Sequence, residues 1–225
     1  MKKIIIPTIR TFLIGAVVLG ILLFLPAWAF NYWQAWVFIV VFMLAVNAIG
    51  IFLSLRDQAL LERRKNVGPK AEQNTVQKII MSVAVIALIG LFVFSALDHR
   101  FGWSSMPAFV PVVGEVLVVL GFVIFLYVFK ENSFGASNIQ TEAGQKVIST
   151  GPYAFLRHPM YAGVLVLLIG VPLALGSFWC LLVLAVAIPG LVIRILDEEK
   201  FLQKELPGYT DYMHKVRYRL VPYIW

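Results

Sequence analysis

The amino-acid sequence predicts an all-α integral membrane protein, with about six transmembrane helices, a C-terminal helical hairpin and polar segments on the cytoplasmic side. Three observations predict it. Of the 225 residues, 60% are hydrophobic and 14% charged, against about 45–50% and about 25% in soluble globular chains. The mean hydropathy is +0.86, and the apolar residues come in blocks close to the roughly 20 that a helix needs to cross a bilayer. The basic residues, 19 Lys and Arg against 12 Asp and Glu, fall almost wholly in alternate connections, as the positive-inside rule requires of a multi-pass chain.

The blocks follow in order: Thr11 to Phe30, Trp33 to Leu55, Ile79 to Leu97, Val110 to Phe129, Met160 to Leu175 and Phe178 to Ile195. The first has the outline of a signal peptide, because Lys2-Lys3 precede an apolar run that ends in Ala27-Trp28-Ala29. That run is longer than the usual apolar region and Arg10 interrupts its start, so it is expected to remain as the first span. Trp28, Trp33, Trp36 and Trp103 stand where interfacial anchors belong. The last two blocks are short and divided only by Gly176-Ser177, which predicts a tight hairpin with Pro172 and Pro189 bending its arms.

Six alternating spans put all the Lys and Arg but Arg100 on one side, so both termini are expected in the cytoplasm. The charge of +7 is then a topological signal, and no nucleic-acid partner is expected. A single cysteine, Cys180, excludes an internal disulfide framework and a cysteine-based zinc site; no metal is expected. The chain reads as one membrane domain, 1–225, with its oligomeric state open. Along the spans polar residues are few, chiefly Asn47, Ser82 and Glu115. A transport path would need more of them.

Chemistry is therefore expected at the cytoplasmic side, where three polar stretches converge. The connection Arg56–Lys78 is charged and contains Gly68-Pro69; it reads as a solvated basic loop with a short interfacial helix at Gln58–Lys65, Leu60 and Leu61 lying in the headgroup layer. The stretch after Glu131 runs nearly thirty residues without an apolar block, long enough to imply function. It ends in Arg157-His158-Pro159-Met160-Tyr161, with Pro159 suited to a helix's first turn. A helix start there offers free N–H groups to an anion. The plain alternative makes Arg157 a phosphate anchor, His158 a cap and Tyr161 a belt aromatic. In the third stretch Arg194 and Glu198 share a helix face, in the weaker order for mutual pairing. That order favours separate duties. The tail Tyr209–Trp225 reads as an amphipathic segment returning to the membrane surface.

Gly-Pro-Tyr at 151–153, Arg-His-Pro-Met-Tyr at 157–161 with Gly163, Arg194 before Glu198-Glu199, Tyr209, Tyr212 and Arg-Leu-Val-Pro at 219–222 stand in a specific order. Together they resemble the isoprenylcysteine carboxyl methyltransferase family, grouped with integral-membrane phospholipid methyltransferases. The resemblance runs from about Asn132 to Trp225 and makes 110–225 the methyltransferase-like region, whereas 1–97 matches no motif. It implies S-adenosyl-L-methionine as cofactor, held by cytoplasmic segments, and a lipid or lipidated substrate entering from the bilayer. Tyr153, His158, Pro159, Tyr161 and Glu198 would bind the cofactor, with Gln140, Gln145, Lys146, Val147 and Ile148 adding contacts. Arg194 matches an arginine that orients the acceptor, and Glu199 joins it as the second catalytic candidate.

The residues leave the acceptor open between a prenylcysteine-type carboxylate, which is favoured, a phospholipid amine and a small thiol. A carboxylate is already ionised at pH 7, whereas an amine must lose a proton to a base such as Glu198 or Glu199. A non-catalytic membrane protein, and a reductase of the related sterol-reductase branch with a nicotinamide cofactor, are the other expectations.

Overall fold

A computed structural model describes residues 2–225 apart from 66, 73, 136, 137, 140, 142 and 143, with side chains from residue 5 onward. Among the described residues all regular structure is helical. Eight α-helices run in the order α1 (Lys2–Ala27), α2 (Trp33–Arg56), α3 (Gln58–Lys65), α4 (Thr75–Phe101), α5 (Phe109–Glu131), α6 (Pro159–Ala174), α7 (Val183–Glu205) and α8 (Tyr209–Lys215). Single 3-10 turns lie at Pro69–Ala71, Gly151–Ala154 and Trp179–Leu182.

Five stretches are long and apolar enough to cross a membrane: Ile5–Ala27, Trp33–Arg56, Thr75–Phe101, Phe109–Glu131 and Trp179–Glu205. The expected fifth span is the exception. With 16 residues, α6 reaches only about 24 Å at 1.5 Å per residue, short of a hydrocarbon core of about 30 Å. It nevertheless lies antiparallel along α5, because small residues let the two backbones meet. A Cβ on Gly114 would come within 2.1 Å of the Ala174 nitrogen, and one on Gly163 within 2.7 Å of the Phe125 ring. Where no hydrophobic drive separates helix from lipid, such close packing is what associates helices.

The helices also outrun their apolar blocks. Asn74 caps α4, its side chain accepting from the Val76 amide at 2.8 Å, and Gly102 ends it in the left-handed region at φ 65. Asp98, His99 and Arg100, beyond the apolar block that ends at Leu97, therefore belong to the last turn of α4. Asp98 is buried. It accepts from the Ser104 amide (2.6 Å) and hydroxyl (2.7 Å) and from the Ser177 hydroxyl, since a carboxylate out of water must be hydrogen-bonded. Tyr32 stacks on His99 with ring centroids 4.0 Å apart and donates to the Leu175 carbonyl at 2.5 Å. These contacts gather the α1–α2, α4–α5 and α6–α7 turns at one end. Trp28, Trp33, Trp36 and Trp103 are exposed there.

Between the ends, Leu23, Phe38, Phe92, Ala96, Val118 and Val171 join one apolar core. The α6–α7 hairpin is splayed rather than tight: α6 lies chiefly on α5 and α7 on α4. The turn at Gly176, φ 75, connects arms that diverge, and the space between their far ends is the site described next. Leu60 of α3 is also not in the headgroup layer. It is fully buried with Leu53, Val128 and Phe129, because α3 folds back under α2 and α5.

Candidate active site

The start of α6 is built by the tail. The Arg157 and His158 amides donate to the Tyr218 and Arg219 carbonyls, each at 2.9 Å. Arg219, Leu220 and Val221 in turn donate to the Trp225 carbonyl. The tail therefore closes over the site, with Tyr209 and Tyr212 buried. Tyr212 donates to the Tyr153 carbonyl at 2.7 Å, which ties α8 to the Gly151–Ala154 turn. That turn begins at Gly151 with φ 56, where a Cβ would strike the Glu131 carboxylate at 2.9 Å. A glycine is needed on both counts.

Glu199 is the hub beneath this floor. It is buried, with Arg157 Nε at 2.7 Å, Arg219 Nε at 2.9 Å and His158 Nε2 at 3.3 Å. Arg157 is thus no phosphate anchor, and the His158 side chain makes no cap hydrogen bond to α6. Both oxygens of Glu199 are committed, and it does not line the cavity.

Arg194, on the same helix, looks the other way. Its Nε donates to Tyr161 (3.0 Å), Nη1 to Gln77 Oε1 (2.9 Å) and Nη2 to Glu72 Oε1 (2.8 Å). Tyr161 then donates to Glu198 Oε2 at 2.7 Å, and Gln77 Nε2 to Asp197 Oδ2 at 2.8 Å. Arg194 and Glu198 do not pair directly, as their order suggested, but the Tyr161 hydroxyl links them.

The cavity itself lies between the start of α6, the far end of α7 and the 132–148 stretch. Of the residues expected to bind cofactor, Gln145, Lys146, Val147, Ile148, Tyr153, His158, Pro159, Tyr161 and Glu198 all line it. Gln140 lies outside the described residues. Arg194 stands one residue behind the wall, reaching it through Tyr161. Asn132 donates to the Tyr153 hydroxyl at 2.9 Å, and burial pushes that phenol up to about 12, so it stays neutral. From the rim, α3 clamps the wall: Arg64 Nη1 donates to the Gly135 carbonyl at 3.1 Å and its guanidinium lies 4.4 Å over Phe129. Arg63 bonds the Ser133 carbonyl.

Two features test the fit of the expected cofactor. Tyr209 lines the cavity, and its hydroxyl is buried with no hydrogen-bond partner among the described residues, a costly state that a polar ligand would relieve. The donor set also has the right chemistry: a carboxylate such as Glu198 can accept from an ammonium, and the first-turn amides of α6 suit a carboxylate. These residues fit the zwitterionic tail of S-adenosylmethionine.

Sequence reasoning missed Glu72 and Gln77, which lie in a connection that reads as solvated loop and helix start. It also missed the Arg157 and Arg219 pairs with Glu199, which join residues far apart in the chain. The Glu72 connection carried no usable signal, whereas Tyr209, Tyr212 and Arg219 already stood in the motif.

Residues 109–207 match the model of the phospholipid methyltransferase family. A mouse (Mus musculus) protein, Delta(14)-sterol reductase, is 27% identical over 155 residues, covering 60% of this chain and 36% of that protein. The chain therefore spans little more than a third of the length of that relative.

Proposed function

We propose that this protein transfers a methyl group from S-adenosylmethionine to a lipid or lipidated acceptor, a reading supported by the match of residues 109–207 to the phospholipid methyltransferase family model. The single observation that carries the reading is the cavity wall. Tyr153, His158–Tyr161 and Glu198, far apart in sequence, share it with an orphaned Tyr209 hydroxyl. The cofactor supplies an electrophilic sulfonium methyl. Glu198 would hold its amine, the start of α6 its carboxylate, and the tyrosines of the tail would exclude water. Rigid positioning of donor and acceptor contributes on the order of 7–11 kcal/mol to such reactions.

A prenylcysteine-type carboxylate remains the favoured acceptor, because it needs no base. Glu199 is already engaged by Arg157, Arg219 and His158, so an amine acceptor would have to rely on Glu198. A phospholipid amine and a small thiol are the alternatives within the class. We further place both termini, the cavity and the basic connections on the cytoplasmic side, and treat 1–225 as one domain with its catalytic region at 110–225.

Isothermal titration of the purified protein with S-adenosylhomocysteine tests the reading, with saturable one-site binding expected. The relative's name supports one other reading, a reductase using a nicotinamide cofactor. Binding of NADPH without S-adenosylhomocysteine, and no transfer of labelled methyl into membrane lipids, would establish that reading instead.

A further inference from the structure

Glu72 and Gln77 lie outside the segment 109–207, in the part of the chain where no motif was found, yet both are buried against the proposed site. We propose that Glu72, with Gln77, is a positioning residue for the cofactor cavity: it holds Arg194 so that Arg194 fixes the Tyr161 hydroxyl and, through it, Glu198. This rests on the methyltransferase reading above.

The argument begins with burial. Glu72 follows the 3-10 turn Pro69–Ala71 in extended backbone, φ −82 and ψ 142, and is only 5% exposed. A carboxylate so placed in a connection between spans is tolerable only if paired, and Arg194 Nη2 at 2.8 Å pairs it. Gln77, 2% exposed in the first turns of α4, accepts from Nη1 with its amide oxygen and donates to Asp197 with its amide nitrogen. The direction of every bond is then forced. A guanidinium only donates, so the Tyr161 oxygen must accept from Nε, and its single proton goes to Glu198. Three anchored edges fix the plane of a rigid guanidinium, and the last link of the relay is a carboxylate on the cavity wall.

A residue that merely neutralised Arg194 would affect stability and leave ligand binding alone. A residue that acts through Arg194 and Tyr161 would share its effect with Tyr161. The experiment is therefore a double-mutant cycle in S-adenosylhomocysteine affinity, measured by titration on the full-length purified protein. Glu72→Ala and Tyr161→Phe are each expected to weaken binding about tenfold, and the double variant to bind no more weakly than Tyr161→Phe alone, the signature of coupled sites. Glu72→Gln keeps an acceptor oxygen for Nη2 and is expected within about threefold of wild type. If Glu72→Ala does not fold, Gln77→Met enters the same cycle with the same expected non-additivity. Wild-type affinity in Glu72→Ala, or losses that multiply in the double variant, would overturn the inference alone. Wild-type protein that binds no S-adenosylhomocysteine would overturn the methyltransferase reading and this inference with it.

Discussion

At Tyr209 one hydroxyl separates a structural role from a binding role. It is buried with no hydrogen-bond partner among the described residues, and an unpaired buried polar group costs about 1–3 kcal/mol. Tyr209→Phe is therefore expected to leave the thermal midpoint unchanged or raise it, while S-adenosylhomocysteine affinity falls several-fold in titration. A lowered midpoint with full affinity would show the hydroxyl to be structural. Glu199 is the opposite case. Its three cationic or polar partners converge in a buried space, and removing one member of a buried pair typically costs about 3–5 kcal/mol. Glu199→Ala should lose that order of stability in denaturant unfolding in mild detergent, because Arg157 would be left buried without its counter-charge. The sequence marked Glu199 as a candidate for chemistry. Its contacts tie both of its oxygens to Arg157, His158 and Arg219, and no local pattern foretells this, since Arg157 and Arg219 lie 42 residues before it and 20 after.

Among the elements, the α5–α6 pair depends most on residue size. Gly114 meets the backbone at Leu173 and Ala174, and Gly170 meets Leu117 and Val118. A side chain at Gly114 cannot be absorbed by a rotamer change, because the obstruction is main chain. Gly114→Val is expected to force the helices apart and lower the thermal midpoint by several degrees, whereas Gly90→Val, at a position open to its surroundings, should have little effect. The prediction fails if both variants melt together. The same pairing explains why α6 can be shorter than a full span: it is held along α5 rather than by its own length. The sequence indicated where α6 starts, because Pro159 fixes the first turn, and where it stops, at Gly176. It did not indicate that α6 would leave α7 and lie on α5, since both faces are equally apolar.

On the scale of the whole molecule, two polar clusters mark the two ends of the bundle. At one end Asp98 joins Ser104 and Ser177, with Tyr32 bonded nearby to the Leu175 carbonyl; at the other lie the Glu72–Arg194–Tyr161–Glu198 relay and, beside it, Glu199 with its partners. If the basic connections face the cytoplasm, Ser149→Cys should react with a membrane-impermeant maleimide only from that side, and Ser105→Cys only from the other. Both positions are exposed, and the native Cys180 is buried. Labelling of both from one side would overturn the orientation.

The sequence by itself determined the helical class, the apolar spans and the set of side chains that could meet a methyl donor. Those depend on local composition and on motif spacing along the chain. Tertiary structure decided which of these side chains face the cavity and which support it. It turned Glu199 inward, set Arg194 behind Tyr161, drew Glu72 out of an apparent solvated loop and folded the tail over the start of α6. The physical reason is common to all four. A charge near an apolar interior must find a partner, and the partner is chosen by three-dimensional proximity, which spacing along the chain does not record.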